Sequence, residues 1–280
     1  MDSLVIGSTS VIGNAIVDDL AALGSVLTAG RRDADVQLDL SVTDPLPVID
    51  RQFDAVVLVA ADFGGPTDED LIRATQVNVL GSITAARIAV SVQAKHFVLI
   101  SSIAAGYQPG DDYFSAYSLT KSQSEQAISF YCAERGMDVS IIRPSGVFDS
   151  EGRCRTHQRL FYGIVDCART GTDFTIAGSA DPLRNYVHVS DVAGLVAGLI
   201  SRTEVGTFVC AQRESLPISA IAETAFAVFG NGGRVRFDAS KPDIAELPPI
   251  AESAGSTIWA PSISIEDGLR RIREYEERTA

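Results

Sequence analysis

Five short apolar runs, Leu4 to Ile6, Val26 to Ala29, Ala55 to Val59, Phe97 to Ser101 and Val139 to Ile142, alternate with longer amphipathic stretches over residues 1–145. Runs of this length suit strands, and each is followed by a turn or a helical stretch, which is the pattern of repeated strand–helix–strand units. Such units join parallel strands through right-handed crossovers. The expectation is an α/β fold with a doubly wound parallel sheet and ligands beyond the C-terminal ends of its strands. After Pro144 the alternation loosens, and Asp149 to Thr156 and Pro242 to Ser256 read as loops. Residues 146–280 are expected to form mainly a smaller lobe, with segments returning to the sheet. No Gly/Ser linker separates the halves, so two packed lobes sharing one cleft are expected.

The chain of 280 residues is 46% hydrophobic and 21% charged, enough to bury a sizeable core. A formal net charge of −13 repels polyanions, which argues against nucleic acid and against an acidic membrane surface. Small anionic ligands need only a few local arginines and backbone N–H groups. Cys132, Cys154, Cys167 and Cys210 form no CxxC pair, and no His cluster has metal-ligand spacing, so reduced thiols and no metal are expected. No basic segment precedes the first apolar run, and no stretch reaches the roughly 18 apolar residues of a membrane span. A cytoplasmic location is expected.

Immediately after the first strand comes Gly7-Ser8-Thr9-Ser10-Val11-Ile12-Gly13, then an amphipathic helix ending near Gly24. Small residues let the backbone approach a pyrophosphate, and the helix start offers N–H donors and a favourable dipole. The spacing resembles the GxxGxxG turn of the short-chain dehydrogenase/reductase superfamily, with Ser10 in place of the middle glycine and expected to add a hydroxyl contact to phosphate. The fold implied is a Rossmann-type sheet, with residues 1–145 the main part of a cofactor-binding domain. The second strand ends in Gly30-Arg31-Arg32, where an NAD site carries an acidic side chain for the ribose hydroxyls. Guanidinium suits a 2'-phosphate, so NADP(H) is favoured and NAD(H) stays open. By resemblance, Asp39-Leu40 meets the adenine, Ala60-Ala61 lets the cofactor pass, and Asn78 has a structural role in its helix.

Tyr117 and Lys121 stand four apart and share one face of a helix. An ammonium beside a phenol is expected to lower the phenol's pKa from about 10 and make it a usable acid or base. Ser101-Ser102 closes the preceding apolar strand. In the family this arrangement is catalytic: Ser102 would hold the substrate oxygen, Tyr117 exchange its proton, and Lys121 hold the nicotinamide ribose and tune Tyr117.

Two further segments resemble the extended branch of the superfamily, the NAD(P)-dependent nucleotide-sugar epimerases, dehydratases and reductases. Arg143-Pro144-Ser145-Gly146-Val147-Phe148 resembles RPxNVYG, with Gly146 for the asparagine, and puts Pro144 against the cofactor. Leu183-Arg184-Asn185-Tyr186-Val187-His188-Val189-Ser190-Asp191-Val192-Ala193 matches the family's R-[DN]-[YF]-[VI]-H-V-x-D-[VL]-A closely. The resemblance puts Arg184 on the substrate's diphosphate and makes residues 146–280 mainly a substrate-binding lobe. Trp259-Ala260-Pro261 and Ser264 to Leu269 resemble the family's ending, and Ser264 with Asp267 also reads as a capping box.

The 4,6-dehydratases carry Thr-Asp-Glu where this chain has Ser102-Ile103-Ala104, and hydrocarbon cannot move the protons of an elimination. The fucose-synthase type has a cysteine where Ala104 stands, although His157 remains unassigned. The resemblance then leaves hydride transfer: NADPH-dependent reduction of a 4-keto-6-deoxy nucleotide sugar, or 4-epimerisation with retained NAD. Arg31, Arg32 and the short stretch between the second and fourth strands favour reduction. A reductase of a non-sugar ketone, and a non-catalytic dinucleotide sensor, are the remaining alternatives; sensors usually lose the catalytic residues. By analogy, the Tyr117 helix and the one through Ala85 and Ile88, apolar around Arg87, could build a homodimer.

Overall fold

The computed structural model describes residues 1–250, 256–259 and 261–279; residues 251–255 of the Pro242 to Ser256 stretch, and Ala260 of the Trp259-Ala260-Pro261 segment, lie outside the described residues. The chain divides into two units, Met1–Pro144 with Val192–Cys210 and Ile250–Trp259, and Ser145–Asp191 with Ala211–Pro249 and Ala260–Ala280. The first runs β1 (Ser3–Ile6), α1 (Val11–Ala21), β2 (Val26–Gly30), β3 (Val36–Gln37), β4 (Ala55–Leu58), α2 (Asp68–Ala74), a π-helical turn (Thr75–Leu80), α3 (Gly81–Ser91), β5 (His96–Ile100), a 3-10 turn (Ile103–Gly106), α4 (Ala116–Ala133) and β6 (Asp138–Pro144). The second unit begins with β7 (Gly146–Phe148), α5 (Arg159–Thr170), β8 (Phe174–Ala177), β9 (Leu183–Arg184) and β10 (Tyr186–His188). Helix α6 (Val189–Arg202) and β11 (Gly206–Cys210) follow; β12 (Leu216–Pro217), α7 (Ile218–Phe229) and β13 (Val235–Asp238) belong to the second unit, β14 (Ser256–Trp259) to the first, and α8 (Ile265–Thr279) to the second.

In the first unit eight parallel strands form one sheet in the order β14-β11-β6-β5-β4-β1-β2-β3, the doubly wound α/β arrangement. Strands β1, β4 and β5 are buried at every residue, as apolar runs must be when helices cover both faces. Leu4, Ile6, Val56, Leu58, Phe97 and Leu99 share a core with Ala85, Ile88 and Ala89 of α3 and Ile128 of α4. Ala85 and Ile88 are spent on the sheet, and the exposed apolar side chains of this region are Leu80, Val90 and, on α4, Phe130. The winding reverses between β1 and β4, and diverging connections leave room for a ligand at such a point.

The second unit pairs β7 with β10 and β8 with β13 in parallel, and β9 with β12 antiparallel. Its core is aromatic: Phe161 lies 4.5 Å from Phe148 and 4.9 Å from Tyr186 between ring centroids. A Cβ at Gly146 would sit 2.7 Å from a Tyr186 ring carbon, which accounts for glycine where RPxNVYG has asparagine. The stretch Asp149 to Thr156 is built around one carboxylate, since Asp149 accepts from the N–H groups of Glu151, Arg153 and Cys154 and from the Tyr162 hydroxyl. Asn185 and Asp191 have the same bracing role. Asn185 bonds both the N–H and the carbonyl of Gln212, and Asp191 accepts from the N–H groups of Ser262 and Ile263. Ser264 caps α8 by accepting from Asp267 N, while its hydroxyl meets the Asp267 carboxylate.

Two buried histidines make stability pH-dependent. His188 Nδ1 accepts from Ser190 N at 3.2 Å and Nε2 faces Ser150 Oγ at 3.0 Å, and burial, with Arg271 nearby, pushes its pKa down to about 4. His96, facing Ser140 Oγ at 2.8 Å, is lowered by burial too. A histidine kept neutral in the fold but free to protonate near 6.5 when unfolded stabilises above that pH and loses the contribution as pH falls. For His188 the loss is at most roughly 3 kcal/mol by pH 4 at ~1.4 kcal/mol per pKa unit. The melting temperature should therefore fall from pH 7 to pH 5, with a shallower slope in His188→Gln; scanning calorimetry giving parallel curves for the two would refute this.

Candidate active site

At the switch point the chain turns from β1 into α1 with very little room. Gly7 has φ +93°, and a Cβ there would lie 2.5 Å from Ala60 N; one at Gly13 would lie 2.2 Å from Gly7 O. Ser10 caps α1: its Oγ accepts from Gly13 N at 3.0 Å and donates to Gly7 O at 2.9 Å. With these two bonds the Ser10 hydroxyl closes the turn. The N–H groups of Val11 and Ile12, opening the helix, have no carbonyl one turn back to receive them. Ser8 is buried, and its Oγ has no partner among the described residues. A polar atom orphaned inside a glycine turn at a helix start fits a phosphate-bearing cofactor.

Thr9 is exposed, and Ala60 and Ala61 are half-buried at the end of β4. Arg31 and Arg32 follow β2, both exposed and without hydrogen-bond or ion-pair partners among the described residues. The turn that presents them is fastened by Asp35, which accepts from Thr28 N at 2.9 Å and from Thr28 Oγ1 at 2.8 Å. Those bonds hold the Asp35 carboxyl below its ordinary range. Asp39 is lowered by bonds from Ser41 N and Oγ, with a smaller contribution from Arg31. Leu40 beside it is buried, and Gly81 leaves no room for a Cβ against it.

Tyr117 and Lys121 lie in the first turns of α4, whose N-cap is Ser115. Ser102 Oγ accepts from Ala104 N at 3.1 Å, and its hydroxyl acts to lower the pKa of the Tyr117 phenol. Lys121 is buried; its Nζ donates to Ile100 O at 2.7 Å and sits 5.8 Å from the centre of the Tyr117 ring. Ser102, Tyr117 and Lys121 thus meet at the C-terminal end of β5. Burial pushes the Tyr117 phenol up to about 12, the Ser102 bond opposing, and pushes Lys121 down to about 8, Glu125 opposing. The expected lowering of Tyr117 by Lys121 is corrected: the ammonium is committed to a carbonyl, and desolvation of the phenolate wins.

Three neighbours of this centre were not anticipated as part of it. Phe63, exposed, stacks on Tyr117 with centroids 5.0 Å apart. Asn78, buried in the π-helical turn, bonds the N–H and carbonyl of Asp62 and the Thr120 hydroxyl, tying the loop after β4 to α4. Glu125 accepts from Ser101 Oγ and from Arg143. Its spacing of four from Lys121 was a signal available in the sequence; nothing marked Phe63. In the second unit Arg184 is buried and donates to Leu183 O at 2.7 Å and Ala245 O at 3.0 Å. Pro144 ends β6, and His157 is exposed with its N–H on Cys154 O. Among the described residues no three His, Cys, Asp or Glu side chains are grouped to hold a metal, and no helix is long and apolar enough to cross a membrane.

The model of the NAD dependent epimerase/dehydratase family matches residues 3–210. A dTDP-4-dehydro-6-deoxy-D-allose reductase of Streptomyces sp is 26% identical over 129 residues, 46% of this chain and 40% of that protein, so the match spans less than half of either. Among solved structures, the UDP-glucose 4-epimerase of Thermus thermophilus in complex with NAD superimposes with a TM-score of 0.74 at 18% identity, covering all of both chains. RMD from Pseudomonas aeruginosa complexed with NADPH gives 0.74 at 20% identity over 99% of this chain and 98% of its own. A glycine turn at the switch point, a Ser–Tyr–Lys centre at the end of β5 and a family match over most of the chain converge. The chain belongs to the NAD dependent epimerase/dehydratase family.

Proposed function

We propose that this enzyme reduces a 4-keto-6-deoxy nucleotide sugar with NADPH. The observation that carries the reading is the turn after β2, where Gly30 replaces the acid of an NAD site and Arg31 and Arg32 stand exposed, without hydrogen-bond or ion-pair partners among the described residues. Charge-assisted bonds to a 2'-phosphate favour NADP(H), with NAD(H) the lesser ligand. Gly7, Thr9, Ser10, Val11, Ile12 and Gly13 are assigned to the pyrophosphate, with the Ser8 hydroxyl as a further donor. Asp39 and Leu40 are assigned to the adenine, and Ala60, Ala61 and Pro144 to the cofactor's passage.

Bound NADPH supplies the hydride. Ser102 holds the carbonyl oxygen, and Tyr117 gives that oxygen its phenolic proton as it becomes an alkoxide. A phenol at about 12 stays protonated at neutral pH, the state that reduction requires of its proton donor. Lys121 then faces a phenolate, stabilises it and holds the nicotinamide ribose. Ile103 and Ala104 supply no second acid or base for elimination or for epimerising beside the ketone. Arg184 is assigned to the diphosphate, its fork oriented by the two carbonyls it already meets. A 4-epimerase holding NAD is the competing reading, supported by the end-to-end likeness to the Thermus thermophilus enzyme. Four unbridged cysteines suit the cytoplasm, and a homodimer would use the exposed Leu80, Val90 and Phe130 of the α3 and α4 region.

Fluorescence titration of nucleotide-free protein should show NADPH bound more tightly than NADH. Arg31→Ala with Arg32→Ala should weaken NADPH on the order of 10–100-fold, as loss of charged hydrogen bonds implies, and NADH under about threefold. Equal losses would count against the assignment, and tightly retained NAD would favour the 4-epimerase. Tyr117→Phe should lower kcat on the order of 10²–10⁴-fold with NADPH affinity nearly unchanged; wild-type turnover in that variant would remove Tyr117 from the mechanism.

A further inference from the structure

Tyr117, Lys121 and Glu125 stand one turn apart on a single face of α4. The first two are accounted for by the proposed reaction; Glu125 is not, although it is buried and carries a full set of partners. Its Oε1 accepts from Ser101 Oγ at 2.5 Å and from Arg143 Nε at 2.9 Å, and its Oε2 accepts from Arg143 Nη2 at 2.5 Å. Ser101 is the first residue after β5, and Arg143 is the last but one of β6. One carboxylate therefore ties α4 to the ends of two neighbouring strands. The residue after Ser101 is Ser102, whose hydroxyl lowers the Tyr117 phenol, and the residue before it is Ile100, whose carbonyl receives Lys121. Two consecutive residues at the end of β5, Ile100 and Ser101, are thus bonded to Lys121 and Glu125 of the same helix face, and Ser102 follows them directly.

We propose that Glu125 is a positioning residue of this centre: it clamps Ser101, and through it Ser102 and the Ile100 carbonyl, against α4, and it is the negative charge that faces Lys121. The inference rests on the oxidoreductase reading above. On α4 the groups facing Lys121 are Tyr117 and Glu125, the end of β5 offers the Ile100 carbonyl, and Arg143 of β6 is paired with Glu125. Burial disfavours the ammonium and Glu125 opposes that. Replacing the carboxylate removes this support and so pushes Lys121 toward its neutral form.

The test uses full-length protein and NADPH as probe, following affinity by fluorescence between pH 6 and 9. In the wild type, affinity should weaken above about pH 8 as Lys121 loses its proton. In Glu125→Gln the weakening should begin at least one pH unit lower, with affinity at pH 6 within about threefold of wild type, and Glu125→Asp should restore part of the shift. Ser101→Ala removes one hydroxyl and leaves the Glu125–Arg143 pair, so it should keep the wild-type pH dependence and melting temperature while lowering kcat severalfold at unchanged KM. It also keeps the inference testable if Glu125→Gln does not fold. A Glu125→Gln protein that melts lower but has an unshifted pH dependence, or a Ser101→Ala protein with full kcat, would reduce Glu125 to a structural ion pair. A wild type that binds no NADPH at any pH would instead overturn the cofactor reading on which the inference rests.

Discussion

A phenol and an ammonium withdrawn from water on one helix face are the constraint around which the catalytic end of this sheet is arranged. Burial alone disfavours both charged forms, and it raises Tyr117 and lowers Lys121. Each has a specific partner: the stacked Phe63 ring for Tyr117, the Ile100 carbonyl for Lys121, and one turn further the Glu125–Arg143 pair. A buried pair broken on one side leaves an uncompensated charge, so these contacts stand or fall as a group. The result is a phenol held protonated at neutral pH beside a buried ammonium.

The other half of the site follows from the sheet. Parallel strands wound outward in both directions from β1 and β4 leave a gap at their C-terminal ends, and the first turn enters it through two positions that admit no side chain, Gly7 and Gly13. Ser10 replaces a glycine without widening the turn because its hydroxyl bonds back to Gly7 O and Gly13 N. Asp35 fastens the adjacent turn inward, and Arg31 and Arg32 are left facing solvent. Backbone donors after β1 and guanidiniums after β2 place local positive charge at the sheet's C-terminal edge in a chain whose net charge is −13.

Motifs that depend on backbone geometry were legible in the sequence because few residue types satisfy them. The Gly7 to Gly13 turn, the Tyr117–Lys121 spacing and the five apolar strands are of this kind. Strands β11 and β14 were expected only as unplaced segments returning to the sheet, since Gly206-Thr207-Phe208-Val209-Cys210 and Ser256-Thr257-Ile258-Trp259 open on small or polar residues and lie beyond the strand–helix alternation of residues 1–145. The most family-specific segment was readable as a pattern but not as physics. Asn185 and Asp191 brace backbone from distant positions, and His188 sits in an aromatic core. The direction of the Tyr117 shift was misread because spacing places Lys121 near the phenol but cannot reveal that its Nζ is bonded to Ile100 O. Phe63 was invisible for a similar reason: stacking across a loop and a helix leaves no periodicity.

The most direct measurement of the central claim is isotope transfer. The protein would be incubated with NADPH doubly deuterated at nicotinamide C4 and with a dTDP-linked 4-keto-6-deoxyhexose, and the nucleotide sugar analysed by mass spectrometry and NMR. One deuterium at C4 of a hydroxylated product, with one NADP⁺ formed per sugar, is the result expected of a reductase. Deuterium-free product, or sugar interconverted with no net NADPH consumed, would contradict it.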